Sequence, residues 1–218
     1  MMEYRLIRSK RKTLSLQVNN QAELIVRAPN LLPIEKIEQF VVEKSSWIDK
    51  KLTAATTKIP KKPHYQNNEN FLYLGNSYPL MISSKFSAKL NFNGVKFKTK
   101  QANRAQFLTW YKNSFREIAL PRLMYYAKTH KLNYQQVRLK SQKTLWGSCS
   151  SVNNINLNYL LIQAPINVID YVIVHELCHT VHKNHSKDFW QLVESILPNY
   201  KASKSWLKSK GYKLHQMQ

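Results

Sequence analysis

Apolar and polar residues alternate over residues 3–7, 14–18 and 23–27, which predicts three short strands. Asn19-Asn20 suits a hairpin turn between the second and third, and Ala28-Pro29 ends the third. The period then changes. Between residues 33 and 55, Ile34, Ile37, Val41, Ile48 and Leu52 recur at helical spacing with charged residues between them, an amphipathic helix whose first turn suits Pro33. Residues 58–70 hold two prolines, three asparagines and few large apolar residues, and read as a linker in which a domain seam can fall. Alternation returns at 71–74, 78–82, 90–92 and 95–97, with Asn93-Gly94 as a hairpin signal. Residues 103–130 predict a long helix carrying Phe107, Leu108, Tyr111, Phe115, Ile118, Leu123 and Tyr126, interrupted or kinked near Pro121. Strands at 136–140 and 155–158 flank the segment TLWGSCSSVNN, whose Gly, Ser and Asn suit a hairpin connection. The pattern is that of an α+β protein: a small mixed β-sheet region with one helix over residues 1–100, then a mainly helical half with a short antiparallel sheet over 101–218. No internal repeat or low-complexity tract interrupts it.

Chemistry concentrates in the stretch DYVIVHELCHTVHKNHSKDFW, residues 170–190. His175-Glu176-Leu177-Cys178-His179 is an HExxH pattern. Residues four apart on a helix lie one turn above each other, so His175 and His179 can aim both imidazoles at one ion, while Glu176 stands beside it without ligating. There Glu176 can take a proton from water and pass it to a leaving group. Asp170 is expected to cap the start of this helix. With 7 His and 9 Glu in 218 residues, the pattern arises by composition roughly 0.01 times per chain, so chance is a poor explanation.

A catalytic zinc takes a third protein ligand and keeps one position open. His182, His185 and Glu194 are the candidates. A straight helix would spread residues 175, 179 and 182 over about 10 Å of axis, too far for one ion, so the chain has to turn after His179. Asn184 can end the helix in a left-handed conformation and Ser186 can cap the next one, which leaves His185 in the loop as the expected third ligand. His182 is expected to support the ligands or face solvent. Glu194 is the alternative ligand if the following helix turns its inner face to the site.

Composition adds charge to this picture. The chain carries 34 Lys and Arg against 12 Asp and Glu, a formal charge of +22 and a pI near 10.0, which favours polyanionic partners without fixing a reaction. Between residues 85 and 143 there are 14 basic residues and one acid, Glu117, whereas residues 144–190 are nearly neutral. Arg138, Lys140 and Lys143, on or beside a strand leading to Trp146, are candidate substrate-binding residues together with that tryptophan; the bland alternative is a solvated basic face. No apolar core of a secretory signal follows the basic N-terminal residues and no run is long enough to cross a bilayer, so a cytoplasmic protein without a membrane partner is expected. The two cysteines, Cys149 and Cys178, are expected to be packed thiols.

Three stretches resemble the YgjP-like metallopeptidase family, predicted zinc-dependent hydrolases related to the SprT-like proteases. The first is Trp146-Gly147-Ser148-Cys149-Ser150 followed by Ile155-Asn156-Leu157-Asn158, Leu160-Leu161-Ile162 and Ala164-Pro165. The second runs from Ile169-Asp170-Tyr171-Val172 through the HExxH residues to Asn184-His185-Ser186 and Phe189-Trp190. The third, weaker, comprises residues 8–14, Ala28-Pro29, Trp47-Ile48 and Tyr73-Leu74-Gly75. The resemblance implies a zincin-like catalytic half with Zn2+ at His175, His179 and His185 and Glu176 as general base. The spacing of the second and third histidines also occurs in metzincins, but His182 stands where those carry Gly and no Met-turn signature follows.

Three functions fit these residues. The first is zinc-dependent hydrolysis of a protein or peptide, in which a strand such as residues 155–158 pairs with extended substrate. The second is metal-dependent pyrophosphohydrolysis of a nucleoside triphosphate, with Arg138, Lys140 and Lys143 neutralising phosphate charge. The third is a non-enzymatic, basic nucleic-acid-binding protein with structural zinc, against which stand the lack of a cysteine ligand set and the glutamate beside the first histidine.

Overall fold

Strand β3 (Leu24–Pro29) turns Leu24, Val26 and Ala28 to one side and buries all three, as an alternating pattern requires. In this computed structural model, which describes residues 2–19, 22–57 and 61–217, β3 is the centre of a mixed sheet, parallel to β1 (Arg5–Ser9) and antiparallel to β2 (Ser15–Val18). Asn19 helps close the β2–β3 connection by accepting the Glu23 N–H at Oδ1, 2.9 Å; Asn20 lies outside the described residues. The helix expected over 33–55 is two, α1 (Ile34–Glu43) and α2 (Ser45–Thr56), parted at Lys44. The break falls in the polar run Glu43-Lys44-Ser45-Ser46, where no apolar side chain holds the helix to a core. Ile37, Val41 and Ile48 still reach the core of β3. Arg8 fixes the entry to α1, its Nη1 donating to the carbonyls of Pro29, Asn30 and Leu32 at 3.1, 2.9 and 2.7 Å.

Packing divides the chain into two units, residues 1–61 and 62–218. The seam lies in the expected linker. The strands of residues 70–99, grouped in the sequence reading with the N-terminal region, belong to the second unit: β4 (Asn70–Tyr73), β5 (Asn76–Ile82), β6 (Asn91–Phe92) and β7 (Phe97–Thr99) form a sheet ordered β4-β5-β7-β6. Their aromatic residues are the reason. Phe71 stacks on Phe107 of α3 (Arg104–Thr129) at 4.0 Å between ring centroids, and the Tyr111 hydroxyl donates to the Leu72 carbonyl at 2.6 Å. Helix α3 runs through Pro121 without interruption; that residue is exposed, so solvent can satisfy the carbonyl the ring leaves free.

A third sheet, ordered β8-β10-β9, comprises β8 (Gln136–Lys140), β9 (Gly147–Cys149) and β10 (Asn154–Asn158). It is mixed rather than antiparallel. β9 folds back on β10 as a hairpin, so β10 runs in the direction of β8 and pairs with it in parallel. A 3-10 turn, Tyr159–Gln163, then leads into α4 (Ile166–Cys178), nearly all of which is buried. The turn Tyr73-Leu74-Gly75 clamps this entry: Leu74 and Gly75 donate N–H to the carbonyls of Ile162 and Gln163 at 2.8 and 3.1 Å. Gly75 has φ +86°, and a Cβ there would come within 2.8 Å of Pro165. Helices α5 (Lys187–Ile196) and α6 (Tyr200–Lys210) follow, with a last 3-10 turn at Gly211–His215.

α4 begins at Ile166, so Asp170 is not its cap. Ala164-Pro165 starts the helix five residues earlier than the polar Asp170 suggested, and the carboxylate, buried in the helix interior, takes a two-pronged ion pair with Arg122 of α3 at 2.5 and 2.7 Å. No helix among the described residues is long and apolar enough to cross a membrane.

A three-histidine candidate metal centre

The last turn of α4 presents His175 and Glu176, and His179 is its C-terminal cap residue. The chain then turns through residues 180–186 and re-enters helix at α5, capped by Ser186, whose Oγ accepts the Phe189 N–H at 3.3 Å. Asn184 assists by a different route from the one expected: it is absent from the described residues with positive φ, and its Oδ1 accepts the Ser186 N–H at 3.3 Å. The loop carries His185 back to the other two rings. One nitrogen of each histidine lies within 4.8 Å of the others, and His175 Nε2 and His185 Nε2 are 3.1 Å apart. Metal–nitrogen bonds near 2.1 Å place tetrahedral nitrogens about 3.4 Å apart, so a small closure of the rings accommodates one ion.

The donor set fits a borderline divalent cation. His179 Nδ1 donates to the backbone carbonyl of His182 at 3.0 Å, which fixes the tautomer and leaves Nε2 with its lone pair free. His182 thus contributes its carbonyl. Burial, reinforced by His179, His185 and Lys204, holds the His175 imidazole down at about 3, so it stays neutral and available as a ligand at ordinary pH. Burial also lowers His179, more than the hydrogen bond to His182 raises it. His175 Nδ1 is buried without a hydrogen-bond partner, beside the Tyr171 ring. Glu194 points elsewhere, exposed and paired with Lys201 at 3.0 Å, so it is not the third member of the cluster.

Glu176 is 5% exposed, and burial pushes its carboxyl up to about 8. Strand β9 lies directly over it: a Cβ at Gly147 would come within 2.5 Å of Glu176 Oε1. A tight backbone beside the carboxyl is the signal that spacing alone could not provide. β9 is the outer strand of its sheet, so one edge carries no strand partner. β10, expected to pair with substrate, is the central strand with both edges occupied by β8 and β9.

Aromatic rings wall the histidines. Phe189 stacks on His179 at 4.5 Å and meets His175 and His185 edge-on at 5.0 and 4.9 Å. Trp190 lies parallel to His185 at 5.6 Å, and Tyr200 parallel to Trp190 at 5.4 Å. Phe189 and Trp190 were legible as the first turn of a helix next to His185; Tyr200 and Lys204, brought by α6, were not.

Of the expected substrate residues, Arg138 and Lys140 share one face of β8. Arg138, Lys140 and Lys143 are exposed. In register, Leu139, Leu157 and Gly147 line the sheet face that meets Glu176, whereas Arg138, Asn156 and Ser148 line the opposite one, so Arg138 and Lys140 face away from the cluster. Trp146, half-buried, stacks on His215 at 4.5 Å with Gly211 against its ring. Cys149 and Cys178 are free thiols.

A family model described as "YgjP-like, metallopeptidase domain" matches residues 12–210. No curated protein matches the chain. Among solved structures, the metallopeptidase zymogen abylysin of Pyrococcus abyssi is 21% identical with a TM-score of 0.39, the match covering 42% of this chain and 93% of that one, a likeness too slight to carry an argument.

Proposed function

The chain belongs to the YgjP-like metallopeptidase family, and from that premise we propose that it is a zinc-dependent peptidase in which His175, His179 and His185 hold the ion and Glu176 is the general base. The observation that carries the reading is the convergence of three imidazoles, one from α4, one from its C-terminal cap and one returned by the loop, with a buried carboxyl next to the first. Zinc suits an all-imidazole set, and when bound it polarises a carbonyl and acidifies water.

The protein's own residues supply the rest. Glu176 accepts a proton from the attacking water at a carboxylate oxygen and delivers it to the departing amide nitrogen. Gly147 keeps β9 close enough to confine that carboxyl, and the open edge of β9 offers backbone N–H and C=O groups to an extended peptide. Phe189 and Trp190 pack against the imidazoles and limit their rotation, His185 remaining exposed. Nucleotide hydrolysis draws no support from Arg138 and Lys140, which occupy the far face of the sheet.

Glu176→Gln tests the assignment. The variant should bind one zinc per chain, measured by elemental analysis and by anomalous scattering at three histidines, and lose about 100-fold or more of casein-type peptide hydrolysis. Full turnover in this variant would refute the role of Glu176.

A further inference from the structure

The most informative group outside the described machinery is Lys204. It projects from α6 with its Nζ 3.8 Å from the centroid of Trp190, the closest cation–ring approach among the described residues. Trp190 in turn lies parallel to His185, 20° between planes, so this ammonium and the candidate metal ligand both neighbour one indole ring. Lys204 is exposed and has no carboxylate partner among the described residues, unlike Lys201 one turn earlier, which is paired with Glu194. Its charge is also felt at the His175 ring.

Three neutral histidines leave the charge of a divalent cation uncompensated, and Lys204 adds a further positive charge at the rim. Of the six acids of this unit, Asp170 is held by Arg122, Glu194 by Lys201, Glu69 accepts the amides of His64 and Gln66, and Glu176 is enclosed; Glu117 and Asp188 are exposed, and neither forms an ion pair with Lys204 among the described residues. With none of them paired to Lys204, its ammonium is open to an acid from outside. A lysine free in solution gains little by meeting a carboxylate, but one already laid over an indole has surrendered much of its rotamer freedom.

We propose that Lys204, held over Trp190 beside the three-histidine cluster, binds an acidic side chain of the peptide substrate next to the scissile bond. This rests on the peptidase reading and names the substrate class it favours. Lys204 is a specificity residue and takes no part in proton transfer.

The test is direct binding to the zinc-loaded full chain, measured by calorimetry at low ionic strength. The probes are two matched pairs of short peptide hydroxamates in which Glu or Gln flanks the metal-binding group on its N-terminal or its C-terminal side. Wild type should bind the Glu member of one pair about 3- to 5-fold more tightly than its Gln counterpart, with the preference shrinking as salt is added. Lys204→Met should abolish the preference while leaving zinc content and the affinity for the Gln probe unchanged, and Lys204→Arg should retain it. Equal affinity for Glu and Gln probes in wild type, or a preference that survives Lys204→Met, overturns the proposal. If the wild-type chain takes up no zinc, the peptidase reading itself fails and the proposal falls with it; zinc uptake with no acidic preference removes the Lys204 role alone.

Discussion

Glu176 lies where burial and proton chemistry oppose each other. In the metal-free chain its carboxyl is pushed up to about 8, from an unfolded value of 4.5, so between those values the folded state holds a proton that the unfolded state has released. Stability from this group is present below the unfolded value and is lost as pH rises toward 8. His175 runs the other way: its folded value of about 3 against 6.5 unfolded means that stability falls as pH drops below 6.5. Between pH 6.5 and 8 the unfolded forms of His175 and His179 lose their last protons and the glutamate effect becomes the larger. Metal-free protein should therefore melt at progressively lower temperature across that interval, and Glu176→Gln should flatten the slope; a metal-free melting temperature that is level or rises with pH would contradict the burial argument. Gly147 offers a second residue-scale test. Alanine there places a methyl group against Glu176 Oε1, so either the carboxyl or β9 has to move. Gly147→Ala is expected to lose about 1–3 kcal/mol of stability and to cut hydrolysis at least tenfold with zinc still bound, checked by thermal melts and metal analysis.

Among elements, α4 determines whether the cluster forms, and its anchor is the Arg122–Asp170 pair. Arg122→Met would leave the Asp170 carboxylate buried and unpaired, though the arginine side chain is 39% exposed and the loss is partly screened. A decrease of about 1–3 kcal/mol is expected, lowering the melting temperature by roughly 2–12 °C, and a second change, Asp170→Leu, should recover most of it. Independent, additive losses would show that the pair does not anchor the helix. The role of Asp170 also marks what sequence could and could not reveal. Strand 136–140 and the HExxH helix were legible because alternation and four-residue spacing are local properties. The cap at Asp170 was misread because the residues from Val168 to Val174 are apolar on every side of it, so periodicity gave no helix start and a polar residue looked like one. Lys44 broke a helix whose apolar spacing continued in phase across the break. At the site, residues 175–185 span eleven positions and their chemistry was readable, whereas Gly147 and Lys204 arrive from β9 and α6 and are neighbours only after folding.

At the scale of the whole chain, the sequence placed strands 71–97 with the N-terminal region because a strand pattern does not say which core will receive it. The aromatic contacts of Phe71, Phe97, Phe107 and Tyr111 assign them to the second unit. That unit has a continuous core from Phe71 to Met217, and residues 1–61 have a separate small one of Leu24, Val26, Ala28, Ile37, Val41 and Ile48. All three histidines, Glu176, β9 and α6 belong to the second unit. A domain of about 150 residues buries a large enough fraction of its surface to fold alone, whereas one of about 60 is marginal. Residues 62–218 expressed without the first 61 should therefore give a cooperative thermal transition and bind one zinc per chain with wild-type affinity. The first 61 residues alone should show a weaker transition. Loss of zinc binding in the 62–218 fragment, with its fold intact by circular dichroism, would mean that the N-terminal unit helps build the metal centre and that the separation of the two cores does not extend to function.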